Sequence, residues 1–295
     1  MRELIFGTDW WTDCDDLAAL RILLSAHKKG EIKLLGVGIN ACMRYSAASV
    51  DGFINLHGVK DIPLGIDLNA TDFEGTHHKY QKTLSSSAVK YKRNEDAEDA
   101  VHLYRRLLSE SKGEVEIVEV GFLQVFADLL MSEPDDISPE TGLSLVRSKV
   151  KKVWVMAGKW DEDGGKEHNF CNNPRSIRGG EIFCEMCPVP VTFLGFEIGI
   201  KVVSGDKLSH DDFLYKSFCE HGSENGRYSW DPMTALMAVI GDEERAGYDT
   251  VQGKARLDGT TGKNYFTEDK NGLHKYVKMK LSPHCYADMI NSRID

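Results

Sequence analysis

The residues best equipped for chemistry form one acidic stretch, Gly7-Thr8-Asp9-Trp10-Trp11-Thr12-Asp13-Cys14-Asp15-Asp16. Its four aspartates repel one another unless something offsets their charge. A helix N-terminus offsets part of it through unpaired N–H groups and its dipole. A hard divalent cation offsets more, and an all-oxygen donor set favours Ca²⁺ or Mg²⁺ over zinc. The plainer alternative is that Asp13 or Asp15 caps a helix while the other acids face water. Capping needs one acid, however, not four. Trp10 and Trp11 in the same loop fit a ligand pocket better than a simple turn.

Other candidate chemistry is weaker. Cys184-Glu185-Met186-Cys187 has CxxC spacing, but no second CxxC completes a zinc site, and the pair reads as structural. The seven cysteines are odd in number and irregularly spaced, which argues against a secreted disulfide framework and for a reducing, cytoplasmic compartment. Gly121 and Gly199 lie near strand ends without a GxGxxG or Walker pattern around them.

The elements that position the acidic loop follow from hydrophobic patterning. Short Val- and Ile-rich runs at 3–6, 32–38, 115–121, 150–157 and 189–196 read as strands. Amphipathic helices are expected over 15–26, 47–57 and 96–108, with Asn173-Pro174 opening another. Alternation of strand and helix predicts an α/β fold with a mainly parallel central sheet and helices on both faces. The acidic loop then sits at the C-terminal end of the first strand, where such sheets bind ligands. Residues 70–94 and 203–228 lack periodicity and read as long surface loops. From about 250 onward, short strands and a last helix are expected. No linker is evident, so 1–295 reads as one domain.

With 36 Lys and Arg against 46 Asp and Glu, the 295-residue chain carries a formal charge of −10. That opposes a phosphate-binding groove for a nucleic acid polymer. No apolar run reaches the ~18–20 residues of a membrane span.

The acidic loop resembles that of the inosine-uridine-preferring nucleoside hydrolases, which open with a strand, an Asp-rich DxDxxxDD-type loop and a helix. The version with two extra residues, ending Thr12-Asp13-Cys14-Asp15-Asp16, is similar to a divergent nucleoside-hydrolase-like branch. Further segments match in order. Val37-Gly38-Ile39-Asn40 resembles a strand end that presents an asparagine to the sugar. Val120-Gly121-Phe122-Leu123-Gln124 resembles Val-Gly-Pro-Leu-Thr, and Met156-Ala157-Gly158 resembles Met-Gly-Gly. Glu167-His168-Asn169 is similar to Glu-Phe-Asn, and Trp230-Asp231 stands where the family has His-Asp. The ordered matches span about residues 3–235.

The resemblance implies an open Rossmann-like core and Ca²⁺-dependent hydrolysis of the N-glycosidic bond of ribonucleosides. It implies Asp9, Asp16, Asp231 and the main-chain carbonyl of Gln124 as Ca²⁺ ligands, and Asp15 as the base for a calcium-bound water. Asn40, Glu167 and Asn169 would hold ribose hydroxyls, Met156 would pack against the sugar, and Trp230 would line the substrate site. Asp13 is placed behind the metal or as a helix cap. Trp10, Trp11 and Trp230 are candidates for stacking a base, and His77, His78 and His168 for donating a proton. A homodimer or homotetramer, and a part in nucleoside salvage, are implied by analogy alone.

Departures are also plain. Gly7 replaces the usual first Asp of the loop, Trp230 replaces the His that helps the base leave, and His168 replaces a Phe beside the sugar. Hydrolysis of a different ribosyl or N-glycoside substrate, or non-catalytic binding of calcium or ribose, therefore stay open as alternatives.

Overall fold

The computed structural model describes residues 1–11, 13–72 and 78–295, so the expectation for His77 lies outside the described residues. In chain order, the first half contains β1 (Arg2–Thr8), α1 (Asp15–Lys28), β2 (Ile32–Ile39), α2 (Ser46–Leu56), β3 (Leu64–Ile66) and α3 (Lys79–Ser85). It continues through β4 (Glu98–Asp99), α4 (Ala100–Glu110), β5 (Val115–Glu119), α5 (Gln124–Met131), α6 (Gly142–Lys149) and β6 (Val150–Met156). Then come α7 (His168–Cys171), α8 (Pro174–Met186), β7 (Val191–Leu194), α9 (Phe196–Gly199), β8 (Val203–Ser204), α10 (Phe213–His221), β9 (Arg227–Tyr228) and α11 (Trp230–Ile240). The chain closes with β10 (Tyr248–Leu257), β11 (Asn264–Glu268), β12 (His274–Met279) and α12 (Pro283–Ile294).

Ten strands form one sheet in the order β11-β10-β12-β7-β6-β5-β1-β2-β3-β4. From β7 to β4 all pairings are parallel. The expected mainly parallel α/β architecture is therefore present. Side-chain alternation along β1 sends Leu4 and Phe6 into a core with α1, α2, α11 and α12. Ile5 points to the other face, into a core with α4, α5 and α8. Helices thus cover both faces. No helix among the described residues is long and apolar enough to cross a membrane.

The differences from expectation have local causes. The helix expected from Asp96 begins at Ala100, because the Asp99 carboxylate accepts from the Val101 and His102 amides and fixes the cap there. The strand expected over 189–196 is trimmed to Val191–Leu194: Pro190 has no N–H to give a ladder, and Gly195 opens α9. The stretch read as loop 70–94 contains α3, and 203–228 contains α10 between the strands of a small antiparallel pair. Helix α10 is capped by the Asp212 side chain and by left-handed Gly222, signals that short periodic segments do not reveal. The late strands are longer than expected: β10 pairs antiparallel with β11 and β12, and β12 joins the main sheet beside β7. Cys184 and Cys187 are unpaired and buried at the end of α8, where burial pushes both thiols up, Cys187 to about 12. They pack as core residues.

Candidate active site

The C-terminal ends of β1, β5 and β6 open onto a cleft of about 230 Å³. Asp9, Asp15, Asp16 and Asp231 line it together. Asp15 and Asp16 occupy the first turn of α1, and Asp231 the first turn of α11. These two helices pack closely, which brings residues 216 positions apart into contact: the Asp231 amide donates to Asp15 Oδ2 at 3.0 Å. One carboxylate oxygen from each of Asp15, Asp16 and Asp231 lies within 4.8 Å of the other two. The Thr8 hydroxyl donates to Asp16, the Trp10 amide reaches the same oxygen at 3.3 Å, and the Trp11 amide donates to Asp9 at 3.1 Å.

Burial dominates the electrostatics of this cluster. It pushes the carboxyls of Asp15, Asp16 and Asp231 well above the usual carboxylate range. Neighbouring charge adds to this, chiefly from Asp13 on Asp15, Asp9 on Asp16 and Asp15 on Asp231. Buried, mutually repelling oxygen donors are what a hard divalent cation would satisfy, so the residues present fit one. Asp13 differs. It lines the same cleft, but Arg227 grips it with Nε at 2.8 and 2.9 Å and a terminal nitrogen at 2.5 Å. Its charge is already met.

The same ends of the neighbouring strands supply the rest of the wall. Met156 closes β6. Glu167 caps α7: its two oxygens accept from the Gly158 amide at 2.9 Å and the Asn169 amide at 2.7 Å. Burial lifts its carboxyl to about 7 against the pull of those amides. The Asn169 amide nitrogen donates to the carbonyls of Val120 at 2.8 Å and Met156 at 2.9 Å, clamping the ends of β5 and β6. His168 stands exposed at the rim. Asn40 lies just behind the lining, with Oδ1 accepting from the Phe122 amide at 3.0 Å and its buried side-chain nitrogen without a partner among the described residues. Gly121 makes this possible, because a Cβ there would overlap the Asp9 amide and Asn40.

Several expectations need correction. Trp10 is fully buried in the core, with positive φ, its indole N–H donating to Ser49 at 2.8 Å and its ring edge-on to Phe53. Trp11 packs with Ala41 and Phe122. Neither lines the cleft, so neither stacks a base there. Gln124 is not in the lining either. Its side chain turns to the Asn40 carbonyl at 2.5 Å, and it is the first residue of α5. Val120, just past the end of β5, lines the cleft with the acids. Trp230 does line the cleft, stacked on Phe196 at 5.4 Å, but its indole N–H already donates to the Phe196 carbonyl at 2.9 Å. It is a wall, not a proton donor. His78 stacks on Tyr80 and approaches His221 at 4.9 Å; it is not among the lining residues.

Sequence reasoning missed Val120, Phe196 and Arg227. Arg227 falls in an aperiodic stretch, and only the tertiary fold brings it to Asp13. It also missed the meaning of Gly7. Gly7 pairs with Glu119 across β1 and β5, and a Cβ at Gly7 would overlap the Glu119 carboxyl. Glu119 is fully buried, accepts from the Tyr104 hydroxyl at 2.8 Å, and burial raises it to about 8. The acid missing from β1 is offset by one on β5, in the same space.

Neither known protein-family models nor curated protein sequences give a match. Solved structures do. An inosine-uridine-preferring nucleoside hydrolase from Bacillus anthracis aligns over 100% of this chain and 99% of its own, with a TM-score of 0.70 at 16% identity. This is the nucleoside hydrolase fold. A purine-preferring ribonucleoside hydrolase from Gardnerella vaginalis gives 0.69 at 16% identity, covering 99% of this chain and 98% of that one. The type III effector XopQ, solved with adenosine diphosphate ribose, gives 0.67 at 13% identity, covering 100% and 94%. Within the nucleoside hydrolase fold, the acidic cleft lies where a parallel sheet presents its strand ends.

Proposed function

We propose that the protein is a Ca²⁺-dependent N-ribosyl hydrolase that cleaves the glycosidic bond of ribonucleosides. The observation that carries this reading is the convergence of Asp15, Asp16 and Asp231, with Asp9, in one buried cleft of a nucleoside hydrolase fold. Asp9, Asp16 and Asp231 would hold the ion. Bound there, a divalent cation would hold the vicinal ribose hydroxyls and favour ionisation of water.

Asp15 is the base. Its Oδ2 is oriented by the Asp231 amide. It takes one proton from the attacking water, whose oxygen bonds to C1′. The C1′–N bond breaks through an oxocarbenium-like transition state, and its electron pair leaves with the base, which takes a proton from solvent. Glu167 and Asn169 face the sugar, Asn40 stiffens the wall through Phe122, and Met156 supplies an apolar floor. The single ten-stranded sheet supports reading 1–295 as one catalytic domain.

A second reading concerns the leaving group alone. The engaged indole N–H of Trp230 leaves the base end without the donor expected there, which favours ribosyl compounds whose leaving group departs without protonation. A panel of purine and pyrimidine nucleosides and of ribosides with better leaving groups, assayed for released reducing sugar with Ca²⁺ and with a chelator, tests both. Turnover of common nucleosides that the chelator abolishes supports the first reading. No turnover of any riboside, with ribose still bound, refutes hydrolysis.

A further inference from the structure

A second cleft adjoins the acidic one and shares Glu167, His168 and Phe196 with it. Its chemistry is opposite. Three lysines line it with Glu162: Lys159 and Lys166 from one loop, and Lys263 from a segment distant in sequence. Buried Asn264 brings them together. Its side chain accepts from the Lys159 amide at 3.0 Å and donates to the Lys159 carbonyl at 2.8 Å, while its amide donates to the Gly165 carbonyl at 2.8 Å. The loop carrying Lys159 and Lys166 is thereby fastened to the start of β11, next to Lys263. Gly164, at φ +73, completes the turn, and the stem of Lys263 lies against it.

Lys159 is paired with Asp161 at 2.8 Å and Glu162 at 3.1 Å. Lys166 and Lys263 are exposed and form no ion pair among the described residues. Two unpaired cations at the mouth of an acidic cleft, on a chain of net charge −10, stand against the background field. They contribute nothing to holding a neutral nucleoside at the aspartates. They match an anion attached to whatever the acidic cleft holds.

The chemistry of ribose says where that anion would be. In the reading proposed above, on which this inference rests, the 2′ and 3′ hydroxyls go to the cation and C1′ carries the base. The 5′ oxygen is the one ribose hydroxyl left for substitution. We propose that the protein acts on ribosyl N-glycosides bearing a 5′-phosphate, with Lys166 and Lys263 as the partners of the phosphate. Glu167 stands between the two clefts, but both its oxygens already accept backbone N–H groups, which offset its charge beside an anion. Cleavage follows the same bond changes and releases free base and ribose 5-phosphate.

The test is calorimetric titration of the full chain, at low salt with Ca²⁺, using ribose, ribose 5-phosphate and inorganic phosphate. The wild type is compared with Lys166→Glu/Lys263→Glu, whose folding is checked by its melting temperature. Ribose 5-phosphate is expected to bind about tenfold more tightly than ribose, two exposed charge pairs being worth about that factor together. The gain disappears in the double variant and shrinks with salt. Equal affinity for the two sugars overturns the proposal. So does a gain that survives charge reversal, since the phosphate would then be meeting the cation, or inorganic phosphate binding as tightly as ribose 5-phosphate. Nucleoside turnover, measured alongside, reports separately on hydrolysis: lysine-dependent binding without any turnover would remove the hydrolase reading and leave the phosphate site standing.

Discussion

Glu119→Gln isolates the electrostatic strain that the fold keeps beside its site. The ordinary carboxyl value is 4.5, and in the folded protein Glu119 titrates at about 8 because burial penalises its charge. Below about pH 4.5 the group is protonated in both folded and unfolded chains and exerts no penalty. Between 4.5 and 8 the unfolded chain releases a proton that the folded chain keeps, so stability falls by about 1.4 kcal/mol per pH unit. By pH 7 the loss relative to pH 4.5 is about 3 kcal/mol, and above pH 8 it grows no further. Glutamine does not titrate, keeps the shape, and still accepts from the Tyr104 hydroxyl through its side-chain oxygen. Urea denaturation of both proteins in chelator at pH 4.5 and 7 gives the comparison. The contributions of Asp15, Asp16 and Asp231 are common to both and cancel in the difference. The variant is expected to gain about 3 kcal/mol over wild type between the two pH values. Parallel stability curves would show that Glu119 ionises normally and would refute the account of Gly7 and Glu119 as sharers of one buried space.

Three further outcomes are expected. Asp15→Asn should lower kcat about 10²- to 10⁴-fold by removing the base, whereas Asp13→Asn, whose carboxylate is tied to Arg227, should keep most activity; the reverse order would reassign the base. Ca²⁺ at a hundredfold excess over its Kd should stabilise the wild type by about 2.7 kcal/mol, seen as a rise in melting temperature of about 5 °C, and Asp231→Asn should lose most of that rise; an equal rise in both proteins would place the ion elsewhere. Gly121→Ala should destabilise by about 1–3 kcal/mol through overpacking against the Asp9 amide and Asn40, measured by denaturation, and unchanged stability would contradict the close approach of β5 to the acidic loop.

The sheet and the acid cluster were legible because each rests on a local signal. Val and Ile runs mark strands buried on both faces, and a carboxylate pair at a helix start marks Asp15 and Asp16. The pairing of α1 with α11, which delivers Asp231, is not local; the resemblance of ordered motifs supplied it. The main-chain role that the resemblance implies for Gln124 carries no side-chain signal, and the Gln124 side chain is turned to the Asn40 carbonyl. Trp10 illustrates a different limit. A tryptophan beside a ligand loop has the right composition for stacking, yet a left-handed backbone at that one residue turns the ring into the core. Arg227 and the lysine cleft were invisible because charge on aperiodic loops carries no signal until tertiary contacts, here through Asp13 and Asn264, bring the segments together.

The acid cluster also bounds what the protein can do unaided. Asp15 receives the Asp231 amide, Asp16 receives the Thr8 hydroxyl and Trp10 amide, and Asp9 receives the Trp11 amide. The N-termini of α1 and α11 add roughly half an elementary charge each. Arg227, which also favours ionisation of Asp15, has its hydrogen bonds directed to Asp13. These donors do not balance four buried carboxylates, and burial with mutual repulsion raises the carboxyls of Asp15, Asp16 and Asp231. A proton and a divalent cation are then alternative ways of meeting one deficit. Of the two, a cation would leave Asp15 free to accept a proton from water, as the proposed role requires. In the reading proposed above, the same burial would make the base depend on the metal and would couple metal affinity to pH.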